Sequence, residues 1–357
     1  MVTNEGENLV FIFSLPRSGS TLLSFLLGSH SKILCPPEPW FLLKIADLTR
    51  RCYIDSPFDD ELATIGSKEF LDGNVFVEAA RAYATTAYNH YLEESGKTIF
   101  VDKTPRYYHI IQKIDEMFPK AKKIWLKRNP LDIAVSYKKS WDMGVEIITG
   151  ERFLSHSLDF SLGLFSLADY FMDISPQKYV FSYETLVKSP GKTLSDLCNF
   201  MHIKYEDSML EAFDNAEIIS KHKSASMGDT NIYETSKVHN QSIDRWINEL
   251  SVAELNRIIS LLGFDIFYQM GYVDVVERLL ALNLNSPSEE KAAEYRNRIR
   301  LSSFDTFAML NNQLKECNAN IESLKADLAL VSASLSWRIT APLRRASDMM
   351  RIFRRRK

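Results

Sequence analysis

Four short apolar runs punctuate the first half of the chain: Leu9–Phe13, Thr98–Val101, Lys123–Lys127 and Lys178–Ser182. Each is short, β-rich and bounded by polar or turn residues, the pattern of a buried strand. Apolar positions recur at helical spacing across 74–95, 106–117, 130–140, 190–201 and 251–262. Strands alternating with helices predict an α/β fold, a parallel sheet flanked by helices. The first run leads through Ser14–Thr21 into Leu22, Leu23, Phe25, Leu26 and Leu27, a helix pattern that closes at Gly28.

The pattern changes after Tyr272. Residues 284–290 (L-N-S-P-S-E-E) read as a linker. Phe307, Leu310, Leu314, Cys317, Ile321, Leu324, Leu328, Val331 and Leu335 then recur at alternating spacings of three and four. A seam of four heptads argues for a coiled coil, with a helix packed back on the main domain as the competing reading. The chain therefore divides into a principal domain over 1–275, a linker and helix over 276–300, a coiled-coil helix over 301–336 and a basic amphipathic tail over 337–357. A length of 357 residues allows about two domains.

Charge is unevenly distributed. Lys and Arg number 43 against 46 Asp and Glu, a net of −3, which argues against a nucleic-acid binder. Residues 336–357 nevertheless carry +7 and the rest −10. The arginines of this tail, with Trp337, Ile339, Leu343 and Phe353 between them, suit an anionic membrane surface; a solvated tail is the equal competitor. Cys35, Cys52, Cys198 and Cys317 have no metal-ligand spacing and read as idle thiols in a reducing compartment. Residues 1–8 lack a basic leader, and Leu9–Phe13 is too short to span a bilayer. The expectation is a cytoplasmic protein, peripheral to the membrane if the tail engages it.

Two turns carry candidate chemistry. In Pro16-Arg17-Ser18-Gly19-Ser20-Thr21 a strand end feeds a helix start. Backbone N–H groups, hydroxyls and the Arg17 charge there would make an anion site, with Gly19 allowing close approach. The Walker ending G-K-[ST] is missing, which disfavours a kinase using ATP. The competing reading, a plainly capped helix, needs neither the Arg nor so many donors. In Arg128-Asn129-Pro130-Leu131-Asp132 through Ser136 a second strand ends at a basic turn before a helix. Alone it would be an ordinary basic turn; paired with the first it supplies a second anion pocket on the same sheet edge.

These two motifs, in this order, resemble those of the sulfotransferases that use 3′-phosphoadenosine-5′-phosphosulfate (PAPS), over roughly residues 9–270. The resemblance implies a P-loop-like α/β sulfotransferase fold in which Arg17, Ser18, Gly19, Ser20 and Thr21 hold the 5′-phosphosulfate and Arg128 and Ser136 hold the 3′-phosphate, with PAPS as donor and no metal. Lys103, in D-K-T-P-R, is similar to the family's catalytic lysine. The histidine base of the small-molecule branch is absent, because Pro105 stands there. Glu38, 21 residues after Arg17, lies where the tyrosylprotein and some carbohydrate branches place a glutamate base. The implied catalytic set is Glu38, Lys103 and Arg17, with His109 and His30 as weaker bases.

Tyr183, in S-Y-E-T-L, resembles a tyrosine near the nucleotide, although a packed core tyrosine is an even competitor. Thr230 and Arg245 fall on a late segment similar to the loop that closes over the donor. One departure stands out: Ser140 occupies the place of a second phosphate-binding arginine, for which Lys138 or Lys139 would substitute. The ending S-x-S-W-R-x-T-x-P-L-R resembles tails of bacterial surface-glycan glycosyltransferases. The resulting expectation is sulfation of a glycan or glycolipid hydroxyl, with a homodimer through the coiled coil and association with the inner membrane or a glycosyltransferase through the tail. A non-enzymatic scaffold of a glycan-assembly complex is the rival from another class.

Overall fold

A computed structural model describes residues 1–46, 59–150, 154–214 and 237–333. Thr230, Cys52 and the basic tail lie outside the described residues. The chain divides into two units: one reaches Phe304, and the described part of the other is residues 305–333.

In the first unit, β1 (Leu9–Phe13), β2 (Ile33–Leu34), β3 (Ile99–Lys103), β4 (Lys122–Lys127) and β5 (Lys178–Ser182) form one parallel sheet in the order β2-β3-β1-β4-β5. The described α-helices up to residue 200 are α1 (Ser20–Gly28), α2 (Phe41–Ala46), α3 (Asp60–Phe70), α4 (Gly73–Ser95), α5 (Ile111–Met117), α6 (Pro130–Trp141), α7 (Val145–Ile148), α8 (Leu154–Leu158), α9 (Leu164–Tyr170), α10 (Tyr183–Lys188) and α11 (Pro190–Phe200). Strand β1 is buried on both faces. Leu9, Phe11 and Phe13 join one core with Tyr107 and Trp125, while Val10 and Ile12 join another with Leu23, Ile124 and Leu126. Burial on both faces explains why this strand reads as an unbroken apolar run.

Three details depart from the sequence reading. Strand β2 has only two residues, too few for any periodicity. The expected helix over 106–117 is split: a single tight turn, Tyr107–His109, precedes α5, and the extended φ of −134° at Ile110 separates them. The boundary at 275 also moves. A helix over Val273–Ala281 buries Val275, Val276 and Leu279, and a continuous helix over Glu289–Ala333 buries Ala292, Arg296 and Ile299. Arg296 donates to the carbonyls of Leu261 (3.1 Å) and Leu262 (3.4 Å), the C-terminal end of the helix Val252–Leu262, and lies 4.0 Å over Phe165. A buried arginine that satisfies orphan helix carbonyls leaves no trace in hydrophobic spacing. The second unit continues this helix through Ala333. Among the described residues, no helix is long and apolar enough to cross a membrane.

Candidate active site

A parallel sheet sends the carboxyl ends of all its strands to one edge, and here four of the motifs meet on that edge. The loop after β1 turns sharply: Arg17 has φ +65° and Gly19 φ +89°. Gly19 is constrained twice, because a Cβ there would also fall 2.4 Å from the Tyr183 ring. Helix α1 begins without a side-chain cap and without an acidic residue in its first turn. The first-turn N–H groups of such a helix and the positive end of its dipole suit an anion.

The second motif starts α6. Asn129 caps it, accepting from Leu131 N at 3.0 Å, and Pro130 takes the first helical position. The buried Arg128 guanidinium lies 4.4 Å over Tyr183 and donates to the carbonyls of Arg17 (2.7 Å) and Ser242 (2.8 Å). Its Nε is buried without a partner among the described residues. The fork expected on a phosphate therefore also clamps the first loop to the 242 segment. Arg17 in turn reaches across to the second motif. Its Nε donates to Ser136 Oγ at 3.0 Å and its Nη2 to Ser140 Oγ at 2.7 Å, 5.7 Å above Trp141. Ser140, the departure noted in the sequence, is where Arg17 lands. Neither proposed substitute is spare: Lys138 pairs with Glu254 at 2.8 Å and Lys139 with Glu249.

The catalytic candidates meet directly. Lys103 Nζ lies 2.7 Å from Glu38 Oε1, and Trp40 Nε1 donates to Glu38 Oε2 at 2.9 Å. The neighbouring Asp102 accepts from Tyr88 (2.7 Å), Tyr107 (3.0 Å) and Thr104 (3.2 Å). Complete burial pushes this carboxyl up to about 6, against the opposing pull of those hydroxyls. The histidine alternatives sit elsewhere. His30 is buried, with Lys204 O at 2.8 Å from Nε2 and Lys32 N donating to Nδ1 at 3.0 Å. His109 packs on Tyr108 at 4.2 Å and is not among the residues that line the site.

A cavity of about 610 Å³ joins these pieces. Arg17, Gly19, Ser20 and Thr21 line it from the first motif, and Arg128 and Ser136 from the second. Glu38, Tyr183 and Arg245 complete the expected set. Buried Ser18 and Lys103 stand behind the wall, Lys103 reaching it only through Glu38. Among the described lining residues, six cations (Arg17, Arg106, Arg128, Lys139, Lys237, Arg245) face two acids (Glu38, Asp132). Such an excess suits a ligand with several negative charges.

Two positions escaped the sequence reading. Asp132, quoted in the motif but given no role, accepts from Asp244 N (2.9 Å) and Trp246 N (3.0 Å) and so pins the late segment beside Arg128. Burial pushes its carboxyl up to about 6. Asp159, which the sequence reading left without a role, is fully buried and accepts both arms of Arg106 (3.2 and 3.0 Å) and the hydroxyls of Tyr108 and Tyr137 (2.8 Å each). The R-N-P-x-D spacing could have flagged Asp132; nothing local marks Asp159.

A family model described as the sulfotransferase family matches residues 9–207. Nodulation protein NoeE of Sinorhizobium fredii is 30% identical over 283 residues, which cover 74% of this chain and 66% of that protein. An uncharacterized protein of Aquifex aeolicus is 27% identical over 249 residues, covering 66% of this chain and 30% of that protein. The chain thus spans a little under two thirds of the first relative and under a third of the second. The sulfotransferase domain from the curacin biosynthetic pathway superposes with a TM-score of 0.50 at 22% identity, over 70% of this chain and 95% of that one. The sulfotransferase domain from the Synechococcus PCC 7002 olefin synthase gives 0.51 at 20%, over 74% and 94%. At these identities the structures share the fold.

Proposed function

The chain belongs to the sulfotransferase family, and from that membership we propose that it moves the sulfuryl group of PAPS to a hydroxyl of a glycan or glycolipid. The observation that carries this reading is Arg17, which leaves the first anion loop and donates to Ser136 and Ser140 of the second. Two anion sites joined in one cationic cavity fit a nucleotide that bears charged groups at both its 5′ and 3′ positions. The unpartnered Arg128 Nε is a donor that a 3′-phosphate oxygen would satisfy.

In the proposed reaction the acceptor oxygen attacks sulfur while Glu38 takes the hydroxyl proton. The bond from sulfur to the bridging oxygen breaks, and the 3′,5′-bisphosphate leaves with the electron pair. Each Glu38 oxygen already accepts one hydrogen bond and keeps lone-pair capacity for the proton. Arg17 and the α1 N–H groups meet the charge that grows on the leaving phosphate. Protonation of Glu38 weakens its hold on Lys103, whose ammonium then adds to that stabilisation.

Trp40 and Trp141 line the same cavity and offer aromatic faces against which a sugar ring can pack. The tail, with its charge of +7, would hold the enzyme at the cytoplasmic surface of an anionic membrane, beside glycan-assembly enzymes. Calorimetry with adenosine 3′,5′-bisphosphate, AMP and ATP tests the donor assignment. The bisphosphate should bind far more tightly than AMP. Preference for ATP with Mg²⁺ would replace this reading with a kinase.

A further inference from the structure

We infer that two copies of this chain associate through the helix beyond residue 305 as a parallel, in-register coiled coil. The inference is independent of the donor and acceptor. Beyond residue 304 the helix belongs to its own unit, and four seam residues with described side chains lie open: Leu314 is 55% exposed, Ile321 48%, Leu324 67% and Leu328 63%. Helices in proteins are held chiefly by burying an apolar face rather than by intrinsic propensity. An open ribbon of leucines is also a surface that soluble proteins seldom leave uncovered. Something must cover this seam.

The spacing identifies the occupant. Nine apolar positions from Phe307 to Leu335 alternate three and four apart, a 3.5-residue period that only another helix winding around the first can follow. The positions that flank the seam, Gln313, Asn318, Asn320, Lys325, Asp327 and Ser332, include one cation and one anion. Two identical helices therefore meet without a row of like charges, and a second copy of this chain is an allowed partner. Direction follows from counting layers. In a parallel pair each of the nine seam residues meets its own copy. In an antiparallel pair the five positions of one class must match the four of the other, so one end residue is always left over. Parallel pairing also places Cys317, which is exposed in the single chain, opposite its own copy.

Sedimentation of the full chain at micromolar concentration should show a dimer. Mild oxidation of that dimer should join two chains through Cys317, and Cys317→Ser should abolish the link. Leu314→Asp combined with Leu324→Asp should raise the dissociation constant at least tenfold. Leu330→Asp, which lies off the seam at 72% exposure, should leave the dimer intact. An unchanged thermal unfolding curve would show that the variants still fold. A monomeric wild type would mean that the seam packs elsewhere and would overturn the proposal. A dimer with no Cys317 link would overturn its parallel register, and equal loss with Leu330→Asp would overturn the seam as the contact.

Discussion

Lys103 and Glu38 are 65 positions apart in sequence, yet the lysine ammonium donates to the carboxylate at 2.7 Å. The side chains are 2% and 10% exposed, so each is the other's principal means of carrying charge out of bulk water. Burial of a lysine at the end of β3 requires a counter-charge, and the 36–40 segment supplies it. Carboxylate and ammonium form one unit.

Removing either partner should have distinct effects. Lys103→Ala strands the carboxylate and should cost about 3–5 kcal/mol of stability, the range for breaking a buried pair, together with most of the turnover. Glu38→Gln keeps an acceptor for Lys103 but turns an amide toward Trp40 Nε1, so the stability loss should be smaller. Turnover should still fall by ~10²–10⁴ while bisphosphate binding persists. Chemical denaturation and single-turnover assays on both variants check this; a fully stable Lys103→Ala would contradict the pairing.

Arg128 both faces the cavity and ties together Arg17 O and Ser242 O. Arg128→Ala should therefore weaken binding of the 3′,5′-bisphosphate by about 1.5–3 kcal/mol, as expected for a charged hydrogen bond. AMP, which lacks the 3′-phosphate, should lose less, and only through loosening of the loop. Equal losses for the two ligands in calorimetry would remove the 3′-phosphate assignment.

Gly19 combines a φ of +89° with a Tyr183 ring 2.4 Å from where a Cβ would stand. Gly19→Ala should shift the loop or the ring and cost about 1–3 kcal/mol, the usual penalty for a strained backbone position. Bisphosphate affinity should fall accordingly. Gly19→Ala paired with Tyr183→Ala should recover part of the loss, because the clash goes and the backbone strain stays. No recovery in a titration would mean that strain alone matters.

Asp102 provides a pH test. Its folded value of about 6 lies above the ordinary carboxyl value of 3.8, because burial disfavours the charge. Between those values the folded state holds a proton that the unfolded chain has released. The stability linked to that proton is present below about pH 4 and is lost as pH rises through 6. Asp102→Asn removes the titration, and its three hydroxyl partners can turn to suit an amide. The melting temperature of wild type relative to this variant should therefore fall between pH 4.5 and 7. A constant difference across that range would show that Asp102 keeps an ordinary carboxyl.

What the sequence determined by itself was local. The apolar run at 9–13, the turn at 16–21 and the helix to Gly28 are contiguous, and each is written in the spacing of neighbouring residues, so pattern alone marks them. The same holds for β4 into Pro130 and for β5 into Tyr183. Parallel connectivity followed from the alternation of strands and helices, and the two anion turns were legible because each is written in neighbouring residues.

Tertiary structure decided everything that depends on contact between distant segments. The strand order β2-β3-β1-β4-β5 places β1 between β3 and β4, which brings Arg17 onto Ser136 and Ser140, 119 and 123 positions away. Asp132 acquires its role only when Asp244 and Trp246 fold over it, and Asp159 only when Arg106 reaches it. Side-chain hydrogen bonds of this kind act over about 3 Å and leave no period in the sequence. Hydrophobic burial does leave one, since a strand or helix must repeat its apolar residues to keep one face in the core. For that reason the elements and their chemistry could be read from the chain, whereas the meeting of those elements at one cavity had to await the fold.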